Sequence, residues 1–215
     1  MCTETGSETI ADIVSFWLDR SLEDPKAAFA RRDWWYSGGP AVDEEIGARF
    51  GALVSRACDG ALMDWQTAPD GALALILLLD QFTRNLYRHT PEAYAGDVHA
   101  FDIVNRAIDL ELDHALHPVA RIWLYHPFHH SEQIERQDHG LALLQGLMTT
   151  AADDWHPYIQ RSIKGWRRHR DIVARFGRFP HRNPVLGRTD TDEERQFLDS
   201  DGSRFGQGPD RAKEC

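Results

Sequence analysis

The chain has 215 residues, 42% hydrophobic and 27% charged, with a formal net charge of −10; that length and mix suit one globular domain with a sizeable core. The acidic balance argues against a general nucleic-acid binder. Three cysteines, Cys2, Cys58 and Cys215, match neither a disulfide scaffold nor a metal motif, and the longest unbroken apolar run, residues 72–79, is far short of a membrane span.

In chain order, the N-terminus MCTETGSETIADIV lacks the basic-then-apolar order of a signal peptide, so a soluble, cytoplasmic protein is expected. Helices are expected near 8–19, 25–35, 41–59, 70–88, 91–95, 98–113, 118–129, 132–150, 155–176 and 191–199. Proline after Asp24, Thr90, His117 and His156 marks helix starts, because proline in the first turn loses no intrahelical bond. Thr9 with Asp12 and Thr191 with Glu194 have the spacing of capping boxes. Pro127 should break the helix around Tyr125 or His126, and Gly177 should close the long helix before it. No segment alternates long enough to compel a strand. The fold class expected is all-α, a single compact domain over 1–199 built of antiparallel helical hairpins, with 200–215 as a flexible polar tail.

The stretch ILLLDQFTRNLYR, residues 76–88, carries the first functional signal. On a helix turning roughly 100° per residue, Leu75, Leu79, Phe82 and Leu86 form a narrow core strip. Asp80, Gln81, Arg84, Asn85 and Arg88 collect on the other side, with Leu77 among them. A solvated face braced by an Asp80–Arg84 ion pair is the plain reading. The sharper one is that this arc lines an internal polar cavity and holds partner side chains or a ligand.

Two later segments supply partners. YHPFHHSEQIERQDHG, residues 125–140, offers Ser131 as a helix cap, Glu132 and Arg136 at i,i+4, and His126, His129, His130 and Glu132 around a proline kink. The two-histidine spacing of a metalloprotease helix is missing, so no metal and no cofactor is expected. His130 beside Glu132 instead suits acid–base chemistry. Between Arg161 and Arg188 nine Lys or Arg residues meet one acid, Asp171, giving +8 against −18 for the remainder. Arg178, His181, Arg182 and Asn183 share one short loop there, and a pair of guanidinium forks such as Arg178 and Arg182 would clamp a carboxylate or phosphate. Helix-terminal arginines complementing the dipole and the acidic body would explain Arg167 to Arg175 equally well.

LLLDQFTRNLYR, LYHPFHHSE and HRDIVARFGRFPHRNPVLGR, in that order, resemble a family of mainly bacterial proteins known as domain of unknown function 924. IVSFWL, DWWY, PEAYAGD and TDEERQFL fit the same pattern, so the resemblance runs from about Ile13 to Leu198. It implies a tetratricopeptide-like helical fold and no particular reaction. Thr83 stands where the family pattern has proline, and His129 where it often has another residue.

Two functions follow from these readings. In the first, three separate segments converge on a cavity for a small anionic metabolite. His130 and His181 are then the proton carriers, and Glu132 or Asp80 orients the imidazole. Asp80, Gln81, Arg84, Asn85, Arg136, Arg178, Arg182 and Asn183 are the binding residues. In the second, the chain is a helical interaction module for a protein partner, and the same residues are a structural polar network. Trp34, Trp35 and Tyr36 of RRDWWYSGGP serve as aromatic anchors in either case, or as core. Neither function involves nucleic acid or a membrane.

Overall fold

The computed structural model describes residues 8–200, so Cys2, Cys215 and the tail expected beyond residue 200 lie outside the described residues. Among the described residues the chain is helical, with no β-strand. Helix α1 (Ile10–Leu18) starts at the capping box its sequence encodes: Thr9 N donates to Asp12 at 2.8 Å, and Asp12 N donates to the Thr9 hydroxyl. Asp24 caps α2 (Pro25–Ser37) by accepting from Ala27 N at 2.8 Å. The 20-residue α3 (Gly39–Cys58) follows.

The centre of the molecule is α4 (Pro69–Ile76), packed against α1, α6 (Asp97–Asp109) and α7 (Pro118–Leu124). Every residue from Gly71 to Ile76 is buried, so this helix is enclosed rather than amphipathic. It runs into a π-helical stretch, Leu77–Phe82, and then a last α turn, α5 (Thr83–Leu86). The sequence reading assumed one regular α-helix here. The π segment replaces i→i+4 with i→i+5 bonding and so slips the register of everything after Ile76. Thr83, in place of a proline, returns its hydroxyl to Leu79 O at 2.8 Å.

Pro127 breaks the next helix where its missing N–H demands: α7 ends at Leu124, and α8 (His126–His129) begins past Tyr125. Ser131 does not cap a helix at 132. It forms a turn, its hydroxyl accepting from Gln133 N, and α9 (Ile134–Thr150) starts two residues later than expected. Helix α10 (His156–Phe176) lies antiparallel to α9, as the Arg170–Asp138 pair and the close approach of Gly140 to Trp166 require. It ends on left-handed Gly177, φ 68°, the cap that a residue without Cβ adopts freely. A loop then leads to α11 (Asp192–Ser200), opened by the expected Thr191–Glu194 capping box.

Most apolar side chains form one core running from Ile13 to Trp166. A second, small cluster of Ile172, Val173, Phe179, Phe197 and Leu198 joins the end of α10, the following loop and α11. The site lies on the boundary between the two.

Candidate functional site

The π segment drives Asp80 into the interior, where it is 1% exposed. Three groups meet its carboxylate. Arg84 reaches it at 3.0 Å, Gln81 donates its side-chain N–H, and His130 Nδ1 lies 2.8 Å from both oxygens. A carboxylate only accepts, so Nδ1 carries the imidazole proton and Nε2 bears the lone pair. Among the described residues the hydrogen bonds to this ring are all at Nδ1, and His130 lines a cavity of about 340 Å³. Arg84 also donates to Asp80 O at 2.7 Å and to both oxygens of Asp97, at 2.9 and 3.2 Å.

Asp97 is positioned by its neighbour. A Cβ on Gly96 would lie 2.3 Å from Leu79 O, so only glycine lets the start of α6 sit directly on the π segment. On the other side Asn85 and Arg88 both donate to Asp43 of α3, at 2.7 Å each, which ties the end of α5 to α3.

The cavity wall is completed from elsewhere in the chain. Trp17 comes from α1, Trp35 and Tyr36 from α2, Tyr94 from the 3-10 turn Pro91–Tyr94, His126 and His129 from α8, and His169 from α10. Arg182 enters from the 3-10 turn Pro180–Arg182. Its guanidinium lies 4.7 Å from the Tyr94 ring and 4.5 Å from that of Phe179, and donates to His130 O at 2.9 Å. Its Nε finds no acceptor. The Trp17 indole nitrogen, the Tyr94 hydroxyl and His129 Nδ1 are likewise buried without partners, and all four residues line this cavity. Buried polar atoms normally find partners, so four unmatched ones around a single space are a directional signal.

Burial holds the histidines neutral. It lowers His126 to about 4 and His169 to about 3, and it brings His129, His130 and His181 well below the ordinary imidazole value, with nearby Arg182 adding to the effect in all but His126. Burial also lowers Arg182 and raises Asp97, whose two arginines only partly oppose it. For Arg84 the order reverses: burial acts downward, but Asp80 and Asp97 outweigh it and raise the guanidinium.

Of the residues singled out from sequence, Gln81, Arg84, Asn85, His130, His181 and Arg182 line this cavity, and Asp80 stands behind His130. The others are elsewhere. Glu132 does not pair with His130 or Arg136; it accepts from Arg188 at 2.7 and 2.9 Å and from Phe179 N at 2.9 Å. Arg136 stacks on Phe101 at 3.5 Å and, with Glu132, borders a smaller cavity of about 220 Å³ beyond His130. Arg178 cannot act as a clamp beside Arg182, because Glu194 takes it at 2.6 and 2.8 Å. Asn183 donates to Asp190. The loop residues diverge because Glu194 and Asp190 each take one of them. Among the described residues no group of three or more His, Cys, Asp or Glu is arranged to hold a metal ion.

Sequence reasoning missed Asp97, Asp43, Tyr94 and Trp17 as site residues, and weighed Trp35 and Tyr36 mainly as core. The signal lay in the short blocks IVSFWL, DWWY and PEAYAGD, which carry five of these six.

The fold and site together define a compact all-helical protein with a buried, charge-rich cavity at the junction of its two apolar clusters. The pattern of a family described as bacterial protein of unknown function (DUF924) matches residues 13–202, and the chain belongs to that family. A solved structure of a protein of unknown function from Agrobacterium tumefaciens is similar to it throughout, with a TM-score of 0.73 and 37% identity over 88% of this chain and 96% of that one. No curated protein matches the chain significantly.

Proposed function

We propose that the cavity binds a small anionic metabolite and that His130 acts on it as a general base. The observation that carries this reading is the Asp80–His130 pair. A buried carboxylate fixes the Nδ1–H tautomer, and the imidazole, held neutral with its Nε2 lone pair unshared, is part of the cavity wall. Arg182 supplies the anion contact: it is 6% exposed, its nearest carboxylate oxygen lies 4.0 Å away on Asp97, and its Nε is unsatisfied. A ligand carboxylate or phosphate would accept from it. The size of the cavity falls at the small end of ordinary ligand sites.

The alternative, a tetratricopeptide-like interaction module whose polar residues only specify the fold, is supported by the Asp80–Arg84–Asp97 chain, in which both carboxylates share one guanidinium. It leaves the four unpartnered atoms around the cavity without a purpose. Thermal shift against a panel of carboxylates and phosphates separates the two. Stabilisation by a panel member that vanishes in Arg182→Met, with the ligand-free melting point nearly unchanged, is the expected result. No stabilisation by any anion, together with unfolding of Arg182→Met, would leave the interaction module standing.

A further inference from the structure

Resting on the ligand reading above, the geometry points to a particular ligand class: an aromatic acid, with its anionic group at Arg182 and a ring whose far end carries an oxygen acceptor for Trp17. The cavity has two unlike ends. One is cationic, with Arg182 held between Tyr94 and Phe179. The other is made of the rings of Trp17, Trp35 and Tyr36.

A run of ring contacts connects them behind the cavity wall. Trp17 meets Trp123 at 5.1 Å, Trp123 lies flat on His126 at 4.3 Å, and His126 meets His129 at 5.6 Å. His129 then meets His169 at 3.8 Å, and His169 meets Phe179, the ring under Arg182, at 5.7 Å. His130, 5.5 Å from His126 and bonded through its carbonyl to Arg182, stands between the two ends. Trp17, Trp35, Tyr36, His130 and Arg182 line the one cavity, so a ligand that fills it meets both ends and the base.

The indole end sets the chemistry of the ring. Trp35 uses its N–H on Trp17 O at 2.8 Å, whereas the N–H of Trp17, a residue only 2% exposed, has no acceptor. An indole nitrogen is a donor only, so the matching ligand atom is an acceptor, a phenolic or carbonyl oxygen. Tyr36 is 60% exposed at the rim while Trp123 lies behind it at 6.3 Å and 27°. With Arg32 also over the Tyr36 ring at 4.9 Å, it is the rim edge of this tyrosine, beside Trp17 and Trp35, that a planar ring meets, gaining edge contacts that an aliphatic chain does not. The histidines between the ends are held neutral by burial, and the other two arginines of the wall are already paired, Arg84 with Asp80 and Asp97 and Arg88 with Asp43, which leaves Arg182 as the wall guanidinium without a close carboxylate.

Calorimetric titration of the full chain with 4-hydroxyphenylacetate, phenylacetate, succinate and inorganic phosphate tests this. The hydroxylated ring acid should bind about tenfold tighter than phenylacetate, and phenylacetate tighter than either ringless anion. Trp17→Phe keeps a ring and removes the N–H, so it should bring the hydroxylated acid down to the phenylacetate value. Should that variant fail to fold, Tyr36→Ala at the exposed rim carries the test: it should weaken both ring acids several-fold and leave succinate unchanged. If succinate or phosphate binds as tightly as the ring acids and ignores both substitutions, the aromatic class is overturned and the anion site survives. If none of the four binds, both readings fall.

Discussion

Arginines meet the fold on opposite terms in two regions of this molecule. Around the small C-terminal cluster each is gripped by a carboxylate: Arg178 holds both oxygens of Glu194 and also Thr189 O, and Arg188 holds both oxygens of Glu132, although its Nε is without an acceptor. Around the cavity Arg182 is nearly as buried as any apolar residue beside it, yet it donates only to a backbone carbonyl, and its nearest carboxylate oxygen is 4.0 Å away on Asp97. A fold gains little from burying an arginine half-matched, since breaking or omitting one side of a buried charge pair is costly. The matched set is architecture. The half-matched one is where a ligand reading has physical force.

That contrast can be broken most sharply at its pivot. Asp80→Ala would strand Arg84 and remove the support of His130, and chemical denaturation should show a loss of about 3–5 kcal/mol. A loss under about 1 kcal/mol would mean the charges are not coupled as described. In the closed region, Arg178→Ala leaves Glu194, 2% exposed, with its main partner gone, and the same measurement should show about 3 kcal/mol. Anion binding in that variant should be unchanged.

Acid separates the two regions by pH. The cavity histidines have folded values below the ordinary 6.5, with His126 near 4 and His169 near 3, so between pH 6.5 and about 4 the unfolded chain binds protons that the folded chain refuses. Stability should therefore fall as pH drops through that window, by about 1.4 kcal/mol per pH unit for each such histidine. His169→Asn should flatten the slope by one such step in a series of melting curves. Glu194 is lowered to about 2 by Arg178, so its contribution is present above the ordinary carboxylate value and disappears only as pH falls toward 2. An acid profile flat down to pH 4 would contradict the neutral, buried histidines.

The smallest effect belongs to the residue that matters most for ligand. Arg182→Met keeps the packing on Tyr94 and Phe179 and gives up one bond to a carbonyl, so its stability should change by under about 1.5 kcal/mol in urea. A loss near that of Arg178→Ala would place Arg182 with the architecture.

The same contrast explains what could be read from sequence. Helix starts at Thr9, Asp24 and Thr191, the stop at Gly177 and the break at Pro127 are local effects of single residues, and they fall where the sequence puts them. Asp80, Arg84 and His130 stood out because polar groups inside an apolar run are costly to bury without partners. Which carboxylate meets which cation was not legible. Glu132 lies two positions from His130, yet the partner is Asp80, fifty positions away. The π segment and the Gly96 contact, both tertiary effects, turned Asp80 inward and set Asp97 on Arg84. The aromatic residues of IVSFWL and DWWY read equally well as core or wall, because the same packing serves both.

Ring-nitrogen NMR of the histidines at neutral pH tests the central claim most directly. The account expects His130 as a neutral imidazole with the proton on Nδ1, a bare Nε2, and an Nε2 signal that moves when an anion is added. An imidazolium, or a proton found on Nε2, would contradict it.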